Sequence, residues 1–292
     1  MHGKIIRGVG GFYYVYAADG STYECRAKGI FRREDLKPLV GDDVDIEVID
    51  PGEKTGNVCE IHERKASLIR PEIANADLVV VVFSLANPSP ALKLLDRYLV
   101  QLEFQDADIA ICFNKKDICR DESERELEKT YSSADYRVIF TSASSGEGID
   151  ALREMINAKT SVLAGPSGVG KSSILNALVP DAGSKTGDIS KKLGRGKHTT
   201  RHSEIFRVKE NTFIMDTPGF GSVFIPEIDK TNLRFCFPEM AAFEGKCRFN
   251  GCLHVEEPGC ALKEAVRRGE VAESRYQSYV SFFRELESER KF

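Results

Sequence analysis

One eight-residue segment, Gly165-Pro166-Ser167-Gly168-Val169-Gly170-Lys171-Ser172, limits the fold of this chain more than any other. It fits G-x-x-x-x-G-K-[ST] at every position, a pattern that requires a strand ahead of it and a helix behind it. Both are indicated, by the apolar run 161–164 and by a helical pattern over 173–178. The glycines let successive backbone N–H groups turn toward phosphates. Lys171 can reach the β and γ phosphates, Ser172 can ligate Mg²⁺, and Ser173 continues the cradle into the helix.

A second motif, Asn114-Lys115-Lys116-Asp117, lies upstream, after the apolar run 109–113. This N-K-x-D pattern reads guanine. Asp117 can accept hydrogen bonds from N1–H and N2–H₂, a pair of donors adenine lacks. Asn114 can brace the loop and meet the base edge, and the Lys115 stem can lie over the base plane. In ordinary GTPases this motif follows the phosphate loop; here the order is reversed. Thr141-Ser142-Ala143-Ser144 follows a strand at 137–140, and its backbone at Ser142 and Ala143 can reach guanine O6. Asp216-Thr217-Pro218-Gly219 follows the apolar run 212–215, so Asp216 can hold Mg²⁺ through water and the Gly219 N–H can meet the γ-phosphate.

Between these phosphate motifs stands Gly194-Arg195-Gly196-Lys197-His198-Thr199-Thr200. One threonine can complete the Mg²⁺ shell; Thr200, just before Arg201, is favoured over Thr199. After Gly219 comes Phe220, where Ras-like enzymes place a water-orienting glutamine. An apolar side chain cannot do this, and His198 is the best-placed substitute, with a group active near neutral pH. Lys191, Lys192, Arg195 and Lys197 make the segment basic enough to touch RNA phosphates, or simply solvated.

In chain order the sequence reads NKKD, TSAS, GPSGVGKS, GRGKHTT and DTPGF, then a Cys/His cluster. It resembles, over essentially its whole length, the circularly permuted bacterial GTPases that depend on the small ribosomal subunit. The resemblance implies GTP hydrolysis to GDP and phosphate, stimulated by that subunit and coupled to its late maturation. It implies the subunit and its rRNA as partners and a water-orienting part for His198. It also firms the reading of the N-terminal segment as an OB-fold.

The residues alone support a multidomain chain of 292 residues, divided at 1–67, 68–222 and 223–292. Over 1–67, five short β segments (5–6, 12–17, 23–27, 44–48, 58–62) separated by Gly, Asp and Pro turns fit a small closed barrel. Over 68–222, apolar strands alternate with helices at 91–104 and 148–157, which argues a parallel α/β sheet; 78–85 reads as its central strand. Over 223–292 the pattern is mainly helical. A long helical stretch is expected over about 264–289, with Tyr276, Tyr279, Val280, Phe283 and Leu286 as a core stripe.

Cys247, Cys252, His254 and Cys260 supply three thiolates and an imidazole within a short span, the donor set of a closed structural zinc site. Cys112 and Cys236 read instead as small core residues. No run approaches the ~20 apolar residues that span a bilayer. Met1-His2-Gly3-Lys4 lacks the apolar core of an export signal. The expectation is a cytoplasmic monomer that binds GTP and GDP and no membrane. The net charge of −4 places any RNA contact in local patches. Two rivals remain. GPSGVGKS also suits a nucleotide kinase, which transfer of phosphate from ATP to GMP would reveal. An RNA-binding scaffold with a vestigial nucleotide site is opposed by the presence of Lys171, Ser172, Asp117 and Asp216.

Overall fold

The structure is a computed structural model describing residues 1–29, 31, 36–68, 72–119, 123–179, 204–216 and 223–289. Its strands, in chain order, are β1 (His2–Val9), β2 (Phe12–Ala17), β3 (Thr22–Ala27), β4 (Asp43–Asp50), β5 (Thr55–Ile61), β6 (Ser67–Leu68), β7 (Ile73–Ala74), β8 (Leu78–Ser84), β9 (Ile109–Asn114), β10 (Arg137–Phe140), β11 (Thr160–Ala164), β12 (Glu204–Lys209) and β13 (Thr212–Asp216). The helices are α1 (Leu92–Glu103), α2 (Ser123–Ser132), α3 (Ile149–Met155), α4 (Lys171–Leu178), α5 (Pro238–Ala241), α6 (Ala261–Arg267) and α7 (Glu273–Glu289).

The chain forms two compact units. The first takes residues 1–80, 149–164 and 170–220. Its strands run β11-β13-β12-β1-β2-β3-β5-β4, and β1 also pairs with β4, which closes the five N-terminal strands into a barrel. The closing β3–β5 pair is parallel; the other barrel pairs are antiparallel. Alternation decides what faces inward. Ile5, Val15, Cys25, Val44 and Val58 are fully buried in the barrel core. Gly3 is required by close approach, because a Cβ there would stand 2.7 Å from the Tyr16 carbonyl oxygen. The expected parallel pairing is present in β11–β13, and one antiparallel strand is added to it. β12 runs antiparallel to β13, turned by Asn211 at φ 54°, and it carries the sheet to β1 through the pair Arg7 and Glu204. The two-residue hairpin β6–β7 and strand β12 had no reading in the sequence analysis.

The second unit takes residues 81–148, 165–169 and 221–292. Its strands run β10-β9-β8, with β9 and β10 parallel. Every residue of β8 and β9 is buried, as expected for strands covered on both faces. The C-terminal helical stretch consists of two helices, α6 and α7. Gly269, at φ 72°, ends α6: its N–H bonds the Val266 carbonyl and the Glu270 N–H bonds the Ala265 carbonyl, both at 3.0 Å. That is the Schellman stop, which only a residue tolerant of left-handed backbone supports well. The α7 core stripe includes Phe282, fully buried, beside Tyr279, Phe283 and Leu286.

A charged side chain lies at the centre of this unit. Arg275 of α7 is 1% exposed. Its Nη1 donates to Asp96 Oδ1 on α1 at 2.7 Å, and its Nε and Nη2 donate to the two oxygens of Glu239 on α5 at 2.7 and 3.1 Å. The Tyr131 hydroxyl on α2 adds a bond to Asp96, and Phe237 lies under the guanidinium at 4.7 Å. Removing one partner of such a network leaves buried charge uncompensated, whereas replacing all of them with apolar groups can be neutral. Arg275→Met should therefore lower stability by about 3–5 kcal/mol. A triple replacement that also changes Asp96 and Glu239 to Leu should recover much of that loss. Denaturant melts of both variants check this, and an unchanged midpoint for Arg275→Met would contradict it.

Candidate functional site: a guanine-reading pocket, a phosphate loop and a Cys/His centre

Within the phosphate loop, residues 165–169 belong to the second unit and residues from 170 on to the first. Strand β11, wholly buried, delivers Gly165 at φ 135°. A Cβ at Gly165 would stand 2.1 Å from the Val82 carbonyl oxygen of β8, so no side chain fits. Gly168 and Gly170 also take left-handed backbone, at φ 82° and 96°. Gly170 is the N-cap of α4, whose first turn is Lys171, Ser172 and Ser173. Lys171 is buried, and the two serines are exposed. Asp216 ends β13 in register with Leu163 of β11, two residues before Gly165.

The residues expected to read the base converge in the second unit. Asn114, at the buried end of β9, ties three loops together. Its Nδ2 donates to the Val169 carbonyl at 3.0 Å, and its Oδ1 accepts from the Ala143 N–H at 3.1 Å and the Thr141 hydroxyl at 3.2 Å. It is a strap from the phosphate loop to the 141–144 loop. Lys115 sits in left-handed backbone at φ 66° and donates its Nζ to the Asn87 carbonyl. Lys116 points its ammonium at Glu124 and Glu147, 3.1 and 3.0 Å away, while its N–H bonds the Thr141 carbonyl. Lys116 therefore meets this site through its backbone.

Asp117 is presented in one orientation. Its Oδ1 accepts from the Ser142 hydroxyl at 2.6 Å and its Oδ2 from the Ser144 hydroxyl at 2.8 Å. These two hydroxyls hold its carboxyl below the usual carboxylate range, Ser142 having the larger effect. Each oxygen keeps a lone pair for an outside donor. Ser144 was outside the residues selected from sequence; its place two residues after Ser142 in a hydroxyl-rich loop was the available signal. Gly148 closes that loop, because a Cβ there would fall 2.1 Å from the Phe140 carbonyl oxygen. Thr199, Thr200, His198, Gly219 and Phe220 lie outside the described residues.

The four Cys/His residues come together as expected. The ligating atoms of Cys247, Cys252, His254 and Cys260 all lie within 4.8 Å of one another. Cys247 Sγ is 3.5 Å from His254 Nδ1 and 3.9 Å from Cys260 Sγ, and His254 Nδ1 is 3.3 Å from Cys260 Sγ. Zinc bound tetrahedrally at ordinary bond lengths would separate two sulfurs by about 3.8 Å and sulfur from nitrogen by about 3.6 Å. The donor set and its spacings therefore fit that ion. Backbone amides meet the sulfurs, with Ala261 N–H on Cys247 Sγ at 3.3 Å and His254 N–H on Cys252 Sγ at 3.4 Å. The Glu257 carboxylate shapes the turn by accepting from the Leu253 and Val255 N–H groups. Tyr276 and Tyr279 of α7 tie down the carbonyls of His254 and Leu253.

A closed barrel, a phosphate loop and a guanine-reading loop placed ahead of it define a circularly permuted GTPase. Comparison with known proteins agrees. A family profile described as RsgA GTPase matches residues 61–225, and one described as RsgA N-terminal domain matches residues 2–56. A curated relative from Agathobacter rectalis, "Small ribosomal subunit biogenesis GTPase RsgA", is 48% identical over the whole of both chains. A relative of the same name from Clostridium beijerinckii is 44% identical over 100% of this chain and 99% of its own. Among solved structures, YloQ, described as a circularly permuted GTPase, is 38% identical with a TM-score of 0.80, covering 100% of this chain and 96% of that one. YjeQ from Thermotoga maritima is 34% identical with a TM-score of 0.80 and covers 98% of each chain. The chain belongs to the RsgA GTPase family, and it is a GTP-hydrolysing enzyme.

Proposed function

We propose that this chain hydrolyses GTP as a biogenesis factor of the small ribosomal subunit, which with its rRNA stimulates turnover. The observation that carries the nucleotide choice is Asp117, fixed by Ser142 and Ser144 with lone pairs left for the two donors of guanine. The relatives' names carry the partner. The units of function are 1–67, 68–222 and 223–292, working as a cytoplasmic monomer. The decisive experiment is GTP turnover with and without purified small subunits. Turnover that the subunits leave unchanged would overturn the partner, and phosphate transfer from ATP to GMP would favour a kinase.

The chain's groups divide the work by chemistry. The amides of 165–172 and the Lys171 ammonium stabilise charge on the transferred phosphoryl group, where positioning counts for more than covalent chemistry. Ser172, exposed on the first turn of α4, and Asp216, at the carboxyl end of β13, supply hard oxygen donors that suit Mg²⁺, with Thr200 completing the set. Bound there, Mg²⁺ would neutralise charge on the β and γ phosphates. His198 orients the attacking water. The Gly219 N–H meets the γ-phosphate.

The metal of the Cys/His centre is zinc, with a structural role, because four protein donors leave no open position. Cys247→Ser should release the ion and destabilise the C-terminal region, since metal binding is coupled to folding. Elemental analysis and proteolysis of the variant check this. A parent protein purified without chelator that carries no stoichiometric zinc would contradict it.

A further inference from the structure

We propose that His2, Asp45 and His62 form a second metal site, on the barrel surface, that takes one divalent cation of the zinc class. Their ligand atoms all lie within 4.8 Å of one another. The residues come from three adjoining stretches of chain. His2 of β1 is the direct cross-strand partner of Asp45 of β4, so the two share a face. His62 follows β5 and is pinned by its N–H to the Asp43 carbonyl at 2.9 Å. Its Nε2 lies 3.0 Å from Asp45 Oδ2, and its ring centroid lies 5.1 Å from that of His2.

The donor set selects the ion. Two imidazoles and one carboxylate suit zinc, cobalt or nickel, whereas calcium and magnesium favour all-oxygen shells. Tetrahedral donors at about 2.0–2.1 Å from zinc stand roughly 3.3–3.4 Å apart. The Asp45–His62 pair already lies within a few tenths of an ångström of that. Asp45 and His62 are 39% exposed, so the rings can close on an ion without disturbing the core. Glu60 stands opposite Asp45 on β5 and adds negative charge to the same row. An ion pair between His62 and Asp45 needs no second imidazole; the approach of His2 is what a cation explains. Three protein ligands leave a position open, the arrangement of a site that can also take an outside oxygen donor.

The test uses the full-length, untagged protein with its Cys/His centre already loaded. Zinc chloride is titrated by calorimetry, and cobalt chloride is followed by absorption. The parent should bind a further equivalent. Its cobalt spectrum should show weak d–d bands without new thiolate charge transfer, which separates this site from the Cys/His centre. His2→Ala, Asp45→Asn and His62→Ala should each weaken the further equivalent by at least the roughly 10- to 100-fold that loss of an outer-shell partner costs a metal site, and leave the first in place. Ring proton resonances of the parent give a reading that needs no variant: zinc should move two of the five histidines. A parent that binds no further equivalent, variants that bind it as well as the parent, or zinc that shifts neither His2 nor His62 would each overturn the site.

Discussion

Asp117→Asn is expected to turn a guanine-specific protein toward xanthosine nucleotides. Ser142 and Ser144 hold the two oxygens of the parent carboxylate at 2.6 and 2.8 Å, and on the proposed reading that carboxylate would accept from N1–H and N2–H₂ of guanine. Adenine lacks those donors. A site built to pair with a substrate's polar groups can reject an analogue without them by about 10⁴-fold. An asparagine keeps the acceptor for N1–H but presents N–H where guanine also presents N–H. Xanthine carries a carbonyl at that carbon and accepts the bond. The serines can follow the change, because a hydroxyl both donates and accepts. The variant should therefore lose most of its GTP affinity and gain affinity for XTP. Equilibrium binding of GTP, XTP and ATP to parent and variant reads this directly. Equal binding of ATP and GTP by the parent would remove the premise.

Much of this site was legible because its chemistry is local in sequence. A loop that must turn N–H groups inward needs glycine at set positions, and Gly165 stands where a Cβ would strike the Val82 carbonyl. A carboxylate that reads a base must leave a strand end, and β9 delivers Asn114 there. The barrel was equally readable, since alternation places Val15 and Val44 in the core. What sequence left hidden depends on pairing between distant segments. Nothing local announces that Arg275 would be buried against Asp96, 179 positions away. Nor does β12 announce itself, since its run Glu-Ile-Phe-Arg-Val-Lys looks like any half-exposed edge until β1 takes it as a neighbour. The helical stretch expected over 264–289 is borne out as two helices, and the break between them falls at Gly269, where left-handed backbone stops the first. Asn114 was legible in part: its place in N-K-x-D suggested a brace for the loop, and its bonds to Val169, Thr141 and Ala143 name the partners that the sequence alone does not.

His198→Ala should preserve GTP binding while removing most turnover stimulated by the small subunit, a loss of about 10²–10⁴-fold. The chemistry sets the expectation. Hydrolysis needs a water held in line with the leaving group, by a group that can hydrogen-bond it or take its proton. In sequence, Phe220 follows the Asp216-Thr217-Pro218-Gly219 motif where Ras-like enzymes place such a group, and a phenylalanine side chain has nothing to offer water. His198 is next in sequence to Thr199 and Thr200, and on the proposed reading one of these threonines would complete the Mg²⁺ shell, so that γ-phosphate binding would draw His198 toward the reacting atoms. On the same reading its basic neighbours in sequence, Arg195 and Lys197, would let an RNA-rich partner set its position. If so, the defect should appear in the single-turnover rate with saturating subunits and leave nucleotide affinity alone, which separates a water-orienting group from a binding one. His198→Gln should recover part of the loss, because an amide can orient water but cannot accept its proton. If His198→Ala hydrolyses GTP as fast as the parent on the subunit, the water is oriented by a group of the ribosome.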